Sequence, residues 1–346
     1  MKIIEILPEL DIGGVERHVI DLANELTARG HEVIVISAGG KMQSQLSERV
    51  RHIDMPVHKK NPFTIWSCSR KIAELARCEG VRIIHAHSRV PAWIALLVSK
   101  RIAIPFVVTA HSNFTTKARF IYLPYRKASQ TICVSRTVQD GMKECFYDNT
   151  IVIHNGLSSL NVKRNACGSQ DVLHFLFVGR LVEYKGVQDI LNAMPQSDKR
   201  WVFDIVGDGP YCDQLRQLAA SRGIDKQVVF HGYSDCIDDF LSTTSCALFP
   251  SHDEGFGLVL GRAIQMGTPV IAANIEATRE LIGTSDGLIE PGDIDGWNIA
   301  IKQFMTTRYS KITNMKIHVP TISDMVNEIE KVYNNVVKNF GIKEQL

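Results

Sequence analysis

Short apolar runs alternate with amphipathic helical segments along this chain, in two successive series separated by one breaker-rich stretch. In the first series the spacing predicts strands at 2–7, 32–37, 82–87, 105–110, 130–135 and 150–154. These are rich in Ile and Val, as strands buried on both faces of a parallel sheet are. A helix is expected over 15–28, where Val15, Val19, Leu22, Ala23 and Leu26 form one stripe and Gly30 stops it. Residues 155–171 are polar and weakly periodic, which reads as an interdomain linker. The second series predicts strands at 173–179, 201–206, 227–231, 246–249, 269–273 and 287–290. Two such series make an α/β chain of two doubly wound, Rossmann-like domains. A last helix spans 321–340, with Met325, Ile329, Val332, Tyr333, Val336, Val337 and Phe340 at three- and four-residue spacing.

The chain has 346 residues, which favours two domains over one. A net charge of +2 supplies no global field for nucleic acid, so no nucleic-acid partner is expected. The eight cysteines include no C-x-x-C pair and match no zinc template, and Cys133 and Cys246 lie in apolar runs, so a reducing compartment is expected. Lys2 leads directly into the first strand, so no leader is expected, and no apolar run approaches the ~20 residues that span a bilayer. Together these point to a cytoplasmic protein.

The chemistry concentrates at predicted strand ends. Residues 254–270 place Glu254 before Gly255-Phe256-Gly257, followed by an apolar helix start at Leu258 and Val259. A carboxylate there accepts hydrogen bonds from hydroxyls, while free backbone N–H groups at the helix start face an anion. A sugar ring on a diphosphate offers both. Phe177 to Gly186 place Arg180 and Lys185 beyond another strand, two cations able to neutralise a diphosphate without a metal. Gly207-Asp208-Gly209-Pro210 is an incomplete dinucleotide fingerprint, readable as a turn or as a ligand-lining loop, with Pro210 suited to a first helical turn. His231 reads as structural rather than catalytic. Gly13-Gly14, before the first helix, either turns the chain or lets a ligand approach the backbone. His111 follows the strand ending in Thr109-Ala110, and His85 and His87 end a neighbouring strand.

These motifs together resemble glycosyltransferase family 4, retaining enzymes with the glycosyltransferase B fold, over nearly the whole chain. The resemblance implies two Rossmann-like domains facing across a cleft: an acceptor-side domain at 1–160, a nucleotide-sugar domain at 161–320 and a helix at 321–346 crossing back to the first. It implies that Gly13, Gly14, Arg180, Lys185, Gly209, Glu254, Phe256, Gly257, Leu258, Val259 and Arg262 line the donor. His111, Glu254, Arg180 and Lys185 would act on it, with Glu254 and His111 on the sugar hydroxyls. No metal or other cofactor is implied, and the nucleotide-sugar, a uridine diphosphate sugar, is a substrate. The partner would be a glycan or lipid-linked acceptor in lipopolysaccharide core or surface polysaccharide synthesis.

Arg262 departs from the pattern, because the family usually has a second Glu there and arginine cannot accept a ribose hydroxyl. Other groups then hold the ribose, Arg262 meets an anionic part of the ligand, or donor binding has lapsed and the chain is a non-catalytic subunit. An epimerase or phosphorylase on the same fold is the rival enzyme. Residues 117–127 mix cations with aromatic and aliphatic residues, which suits either a core-facing helix or a peripheral contact with the inner membrane.

Overall fold

The computed structural model describes residues 1–112, 119–143, 149–160, 172–196, 200–284, 286–308, 310 and 319–343. The chain divides into two units, Met1–Gly156 with Pro320–Leu346, and Leu157–Val319.

In the first unit the elements run β1 (Lys2–Ile6), α1 (Gly14–Ala28), β2 (Glu32–Ser37), β3 (Arg51–Asp54), α2 (Pro62–Glu79), β4 (Ile83–His87), α3 (Arg89–Ile102), β5 (Phe106–Ala110), α4 (Leu123–Lys127), β6 (Gln130–Cys133), α5 (Arg136–Lys143) and β7 (Thr150–Val152). Among the described residues the strands form one seven-stranded parallel sheet, ordered β3-β2-β1-β4-β5-β6-β7. β3 escapes the sequence reading. Its Arg-His-Ile-Asp has no apolar run, because it pairs only with β2 and keeps half of itself in solvent.

The second unit contains β8 (Leu173–Val178), α6 (Val187–Ala193), β9 (Trp201–Val206), α7 (Cys212–Ser221), β10 (Val228–Gly232), α8 (Ile237–Thr243), β11 (Cys246–Phe249), α9 (Leu258–Gln265), β12 (Val270–Ala272), α10 (Glu276–Ile282) and α11 (Ile294–Thr307). Its sheet is also parallel, ordered β10-β9-β8-β11-β12. Trp201, Trp297, Phe175 and Phe203 fill its core. The strand expected at 287–290 is reduced to one bridge between Ala273 and Ile289. Gly287 and Gly292, both at φ 80°, turn the chain on either side of Ile289 and leave no room for a ladder. Pro210 stands in a turn ahead of α7, not in its first helical turn.

α12 (Ile322–Lys343) belongs to the first unit. Thr321 Oγ1 accepts from the Asp324 backbone N–H at 3.1 Å, and Asp324 Oδ2 accepts from the Thr321 N–H and hydroxyl at 3.0 and 2.7 Å, a reciprocal cap. Met325, Val326, Ile329, Val332, Tyr333 and Val336 enter the same core as Val19, Leu22 and Leu26 of α1. Each such side chain contributes about 1.5–3 kcal/mol on burial. Arg29 adds hydrogen bonds to Asn327, Glu330 and Ser323 of α12.

Candidate functional site

In the second sheet the chain winds outward from β8 in both directions, so β8 and β11 flank the point where strand order reverses. Ligands of doubly wound sheets bind beyond the carboxyl ends of the strands at such a point. The loop after β8 carries Arg180 and Lys185, and the loop after β11 carries Glu254. Backbone contacts hold the two loops side by side. The His252 N–H donates to the Tyr184 carbonyl at 2.8 Å. Gly186 sits at φ 71°, where a Cβ would strike the Pro250 carbonyl oxygen, so only glycine permits this approach. The Lys185 ammonium donates to Glu254 Oε1 in a short ion pair, and Ser251 Oγ donates to the same oxygen at 3.1 Å.

Glu254 is therefore engaged with Lys185 and Ser251, and no side chain caps α9. With Gly257 at φ 87° as its N-cap, α9 makes its first internal bond from Gly261 N to Gly257 O at 2.9 Å. The N–H groups of Leu258, Val259 and Leu260 precede that bond and have no partner inside the helix. Leu258 and Val259 are half-buried, while Phe256 is buried. Arg180 is exposed, and no described residue takes its guanidinium. Gly209 lies on the third loop of the cluster: the Leu181 N–H donates to Asp208 O at 2.9 Å and the Tyr211 N–H to Leu181 O at 3.0 Å. Three sequence-distant motifs thus meet around the end of β8. The His231 side chain is bonded to Asp204 Oδ1 at 2.7 Å.

Arg262, one turn into α9, is taken up inside the unit. Its Nε donates to Asp238 Oδ1 at 2.7 Å and Nη2 makes a short contact with Oδ2, a bidentate fork. Nη1 donates to Ser158 O and Gln265 Oε1, each at 2.7 Å. The side chain is 11% exposed. Of the ways to accommodate this substitution, the structure gives the guanidinium a tie between α9 and α8, with most of its N–H donors engaged there.

In the first unit Gly13 and Gly14 open α1, and Gly13 is extended at φ 176°. His111 follows β5 and is half-buried. It joins a polar cluster that sequence reading did not foresee. His87 Nδ1 is 3.0 Å from His111 Nε2, and His87 Nε2 bonds Glu5 Oε2 at 2.9 Å. Tyr333 donates to Glu5 Oε1 at 2.8 Å, and His85 bonds the Tyr333 hydroxyl at 2.6 Å and Thr109 Oγ1 at 2.7 Å. His18 Nδ1 bonds Asn155 Oδ1 at 2.8 Å. Glu5 is fully buried. Burial alone would raise its carboxyl, yet the His85 and His87 imidazoles bring it down to about 2. Burial, reinforced by the neighbouring imidazoles, lowers His18 to about 3 and His87 to about 4, and carries His111 well below its ordinary value. The available signal was Glu5, a charge inside the apolar run 2–7. His18–His87–His111 and Glu5–His85–His87 are the two groups among the described residues spaced to hold a metal ion.

Of the stretch 117–127, residues 117 and 118 lie outside the described residues. Tyr122 and Tyr125 are buried, at 2% and 3% exposure, so two of the aromatics serve the core. Phe120, Ile121, Arg126 and Lys127 face solvent. No described helix is long and apolar enough to cross a membrane.

Two family models match the chain: one described as Glycosyltransferase Family 4 at residues 12–159, and one described as Glycosyl transferases group 1 at residues 164–317. A glycosyltransferase of Methanocaldococcus jannaschii is 26% identical, over 80% of this chain and 80% of its own. The O-antigen chain mannosyltransferase C of Escherichia coli is 27% identical, over 82% and 80%. Among solved structures, the Anabaena protein HepE in complex with UDP and glucose shares the fold with a TM-score of 0.83 at 19% identity, covering 96% of this chain and 99% of that one. With both units matched in chain order and the fold held in common, the chain belongs to the family 4, group 1 glycosyltransferases of the glycosyltransferase B fold.

Proposed function

We propose that this glycosyltransferase moves a hexose from a uridine diphosphate sugar to a hydroxyl of a glycan or lipid-linked acceptor, with retention at the anomeric carbon, in lipopolysaccharide core or surface polysaccharide synthesis. The observation that carries the reading is the Lys185–Glu254 pair across the strand-order reversal beside β8. The ammonium has three donors, so Lys185 can hold Glu254 and still reach a phosphate oxygen. Arg180 adds a second cation, and the unbonded N–H groups at the start of α9 add fixed dipoles. Together they stabilise charge on the departing diphosphate, the task a metal performs elsewhere, so no metal is assigned to the reaction. Glu254 accepts from the sugar hydroxyls, and His111 is assigned a part in the reaction on the strength of the resemblance. The leaving phosphate takes the acceptor's proton on the face it vacates, which delivers retention without a protein base.

HepE, a neighbour in fold, is described with UDP and glucose, which supports the donor class. The tie between Arg262 and Asp238 supports an active enzyme over a degenerate subunit, since it gives the arginine a task in the fold. The test is a thermal-shift panel of nucleotide-sugars followed by kinetics. One uridine diphosphate hexose should stabilise the chain selectively. Lys185→Ala should abolish that shift and lower kcat/KM by roughly tenfold to over a hundredfold, the loss of about 1.5–3 kcal/mol of charge-assisted hydrogen bonding. Equal stabilisation by guanosine and adenosine donors, or an undiminished rate in Lys185→Ala, would overturn the reading.

A further inference from the structure

His18 of α1, His87 at the end of β4 and His111 just past β5 place one ring nitrogen each within 4.8 Å of the others, near enough to share a common point. Ring centroids lie 4.8–5.5 Å apart. The outer hydrogen bonds fix two of the tautomers. Asn155 Oδ1 accepts from His18 Nδ1, which leaves a bare lone pair on His18 Nε2. Glu5 accepts from His87 Nε2, which leaves a lone pair on His87 Nδ1. His111 Nε2 carries one hydrogen at most and directs it to His87 at 3.0 Å. His18 Nε2 is then a buried acceptor with no donor among the described residues, on a side chain only 4% exposed. Such an orphan is costly unless something fills the gap.

We propose that His18, His87 and His111 form a binding site for a divalent transition-metal ion, Zn²⁺ being the type case. An ion at the common point meets all three lone pairs once the His111 hydrogen moves to its Nδ1, and no oxidation or further reactant is needed. Three imidazoles make a known zinc arrangement, one in which water or another ligand takes the fourth position. Glu5 behind His87 and Asn155 behind His18 are the outer partners that orient metal-bound imidazoles. All-nitrogen ligation selects Zn²⁺, Co²⁺, Ni²⁺ or Cu²⁺ over Mg²⁺ and Ca²⁺, which take oxygen. The depressed imidazoles are unprotonated at neutral pH, as ligation requires. The alternative group, Glu5–His85–His87, has its nitrogens and oxygens already shared with Tyr333 and Thr109. The consequence for catalysis rests on the role given to His111 above: a bound ion takes up that imidazole, so the site acts as a brake.

The test is a Co²⁺ titration of the full chain after chelator treatment, read by visible absorption. One equivalent should bind with the intense bands of tetrahedral cobalt, Zn²⁺ should displace it, and Mg²⁺ should not. His18→Leu should abolish the bands, and Asn155→Ala should weaken binding about 10–100-fold. Asn155→Ala and the unmodified chain keep the test intact should His18→Leu fail to fold. No stoichiometric tetrahedral cobalt, or binding undiminished in both variants, would overturn the site. Transfer assays separate the two readings. Zn²⁺ should inhibit the unmodified enzyme at the concentration that fills the site; filling without inhibition overturns the brake and the role of His111 while leaving the metal site standing.

Discussion

Arg262 stands where the resemblance leads one to expect a carboxylate, and Asp238 supplies the carboxylate from outside the motif. The guanidinium ties two helices together and reaches the Ser158 carbonyl. Reverting it would therefore not restore a lost contact. Arg262→Glu would set two carboxylates against each other and take from the Ser158 carbonyl the shorter of its two donors, leaving Gln265 Nε2 at 3.3 Å. The expected cost is about 1–3 kcal/mol, discounted because Asp238 retains some solvent. In thermal unfolding this should lower the midpoint by several degrees, at about 2–4 °C per kcal/mol for a unit of this size. Adding Asp238→Arg should recover part of the loss, and a gain in donor affinity on reversion would contradict the assignment. Residues of this kind divide what could be read in advance from what could not. Arg180, Lys185 and Glu254 were legible because glycines and strand ends mark them locally. Asp238 was not, since nothing near it in the chain announces a partner 24 residues away.

At the scale of elements, β1, β4, β5 and α12 surround the Glu5 cluster, whose stability depends on pH. His18, His87 and His111 have folded values below their ordinary 6.5, so the unfolded chain binds protons that the folded chain refuses. Their stabilisation is complete above about 6.5 and drains as pH falls toward 4 and 3, where His87 and His18 protonate. Glu5 extends the loss, from its ordinary 4.5 down to about 2. Each group contributes a slope of up to about 1.4 kcal/mol per pH unit within its window. Urea unfolding of the first unit should thus weaken steeply between pH 6.5 and 4, more steeply than the second unit, and His18→Leu should flatten the slope. A midpoint that is level across that range would contradict the buried, neutral imidazoles. Strand legibility followed the same physics. Central strands announced themselves through continuous Ile and Val, whereas the edge strand β3 did not. The Leu288-Ile289 pair looked like a strand until Gly287 and Gly292 confined it to one bridge.

At the scale of the whole molecule, the first unit is assembled from two stretches of chain separated by the entire second unit. The buried residues of α12 together contribute as much as the 5–15 kcal/mol by which a domain is stable. A chain stopped after Val319 should therefore lose hydrogen-exchange protection in β1, β4 and β5 while β8, β9 and β11 keep theirs. Uniform loss, or none, would contradict the division. The same arrangement has a consequence during translation. A ribosome emits β1 through β7 long before Tyr333, so Glu5 waits for the hydroxyl that completes its shell until the second unit has already left the exit tunnel. The half made first is the half finished last, and for that interval its exposed apolar face is the natural place for a chaperone to hold.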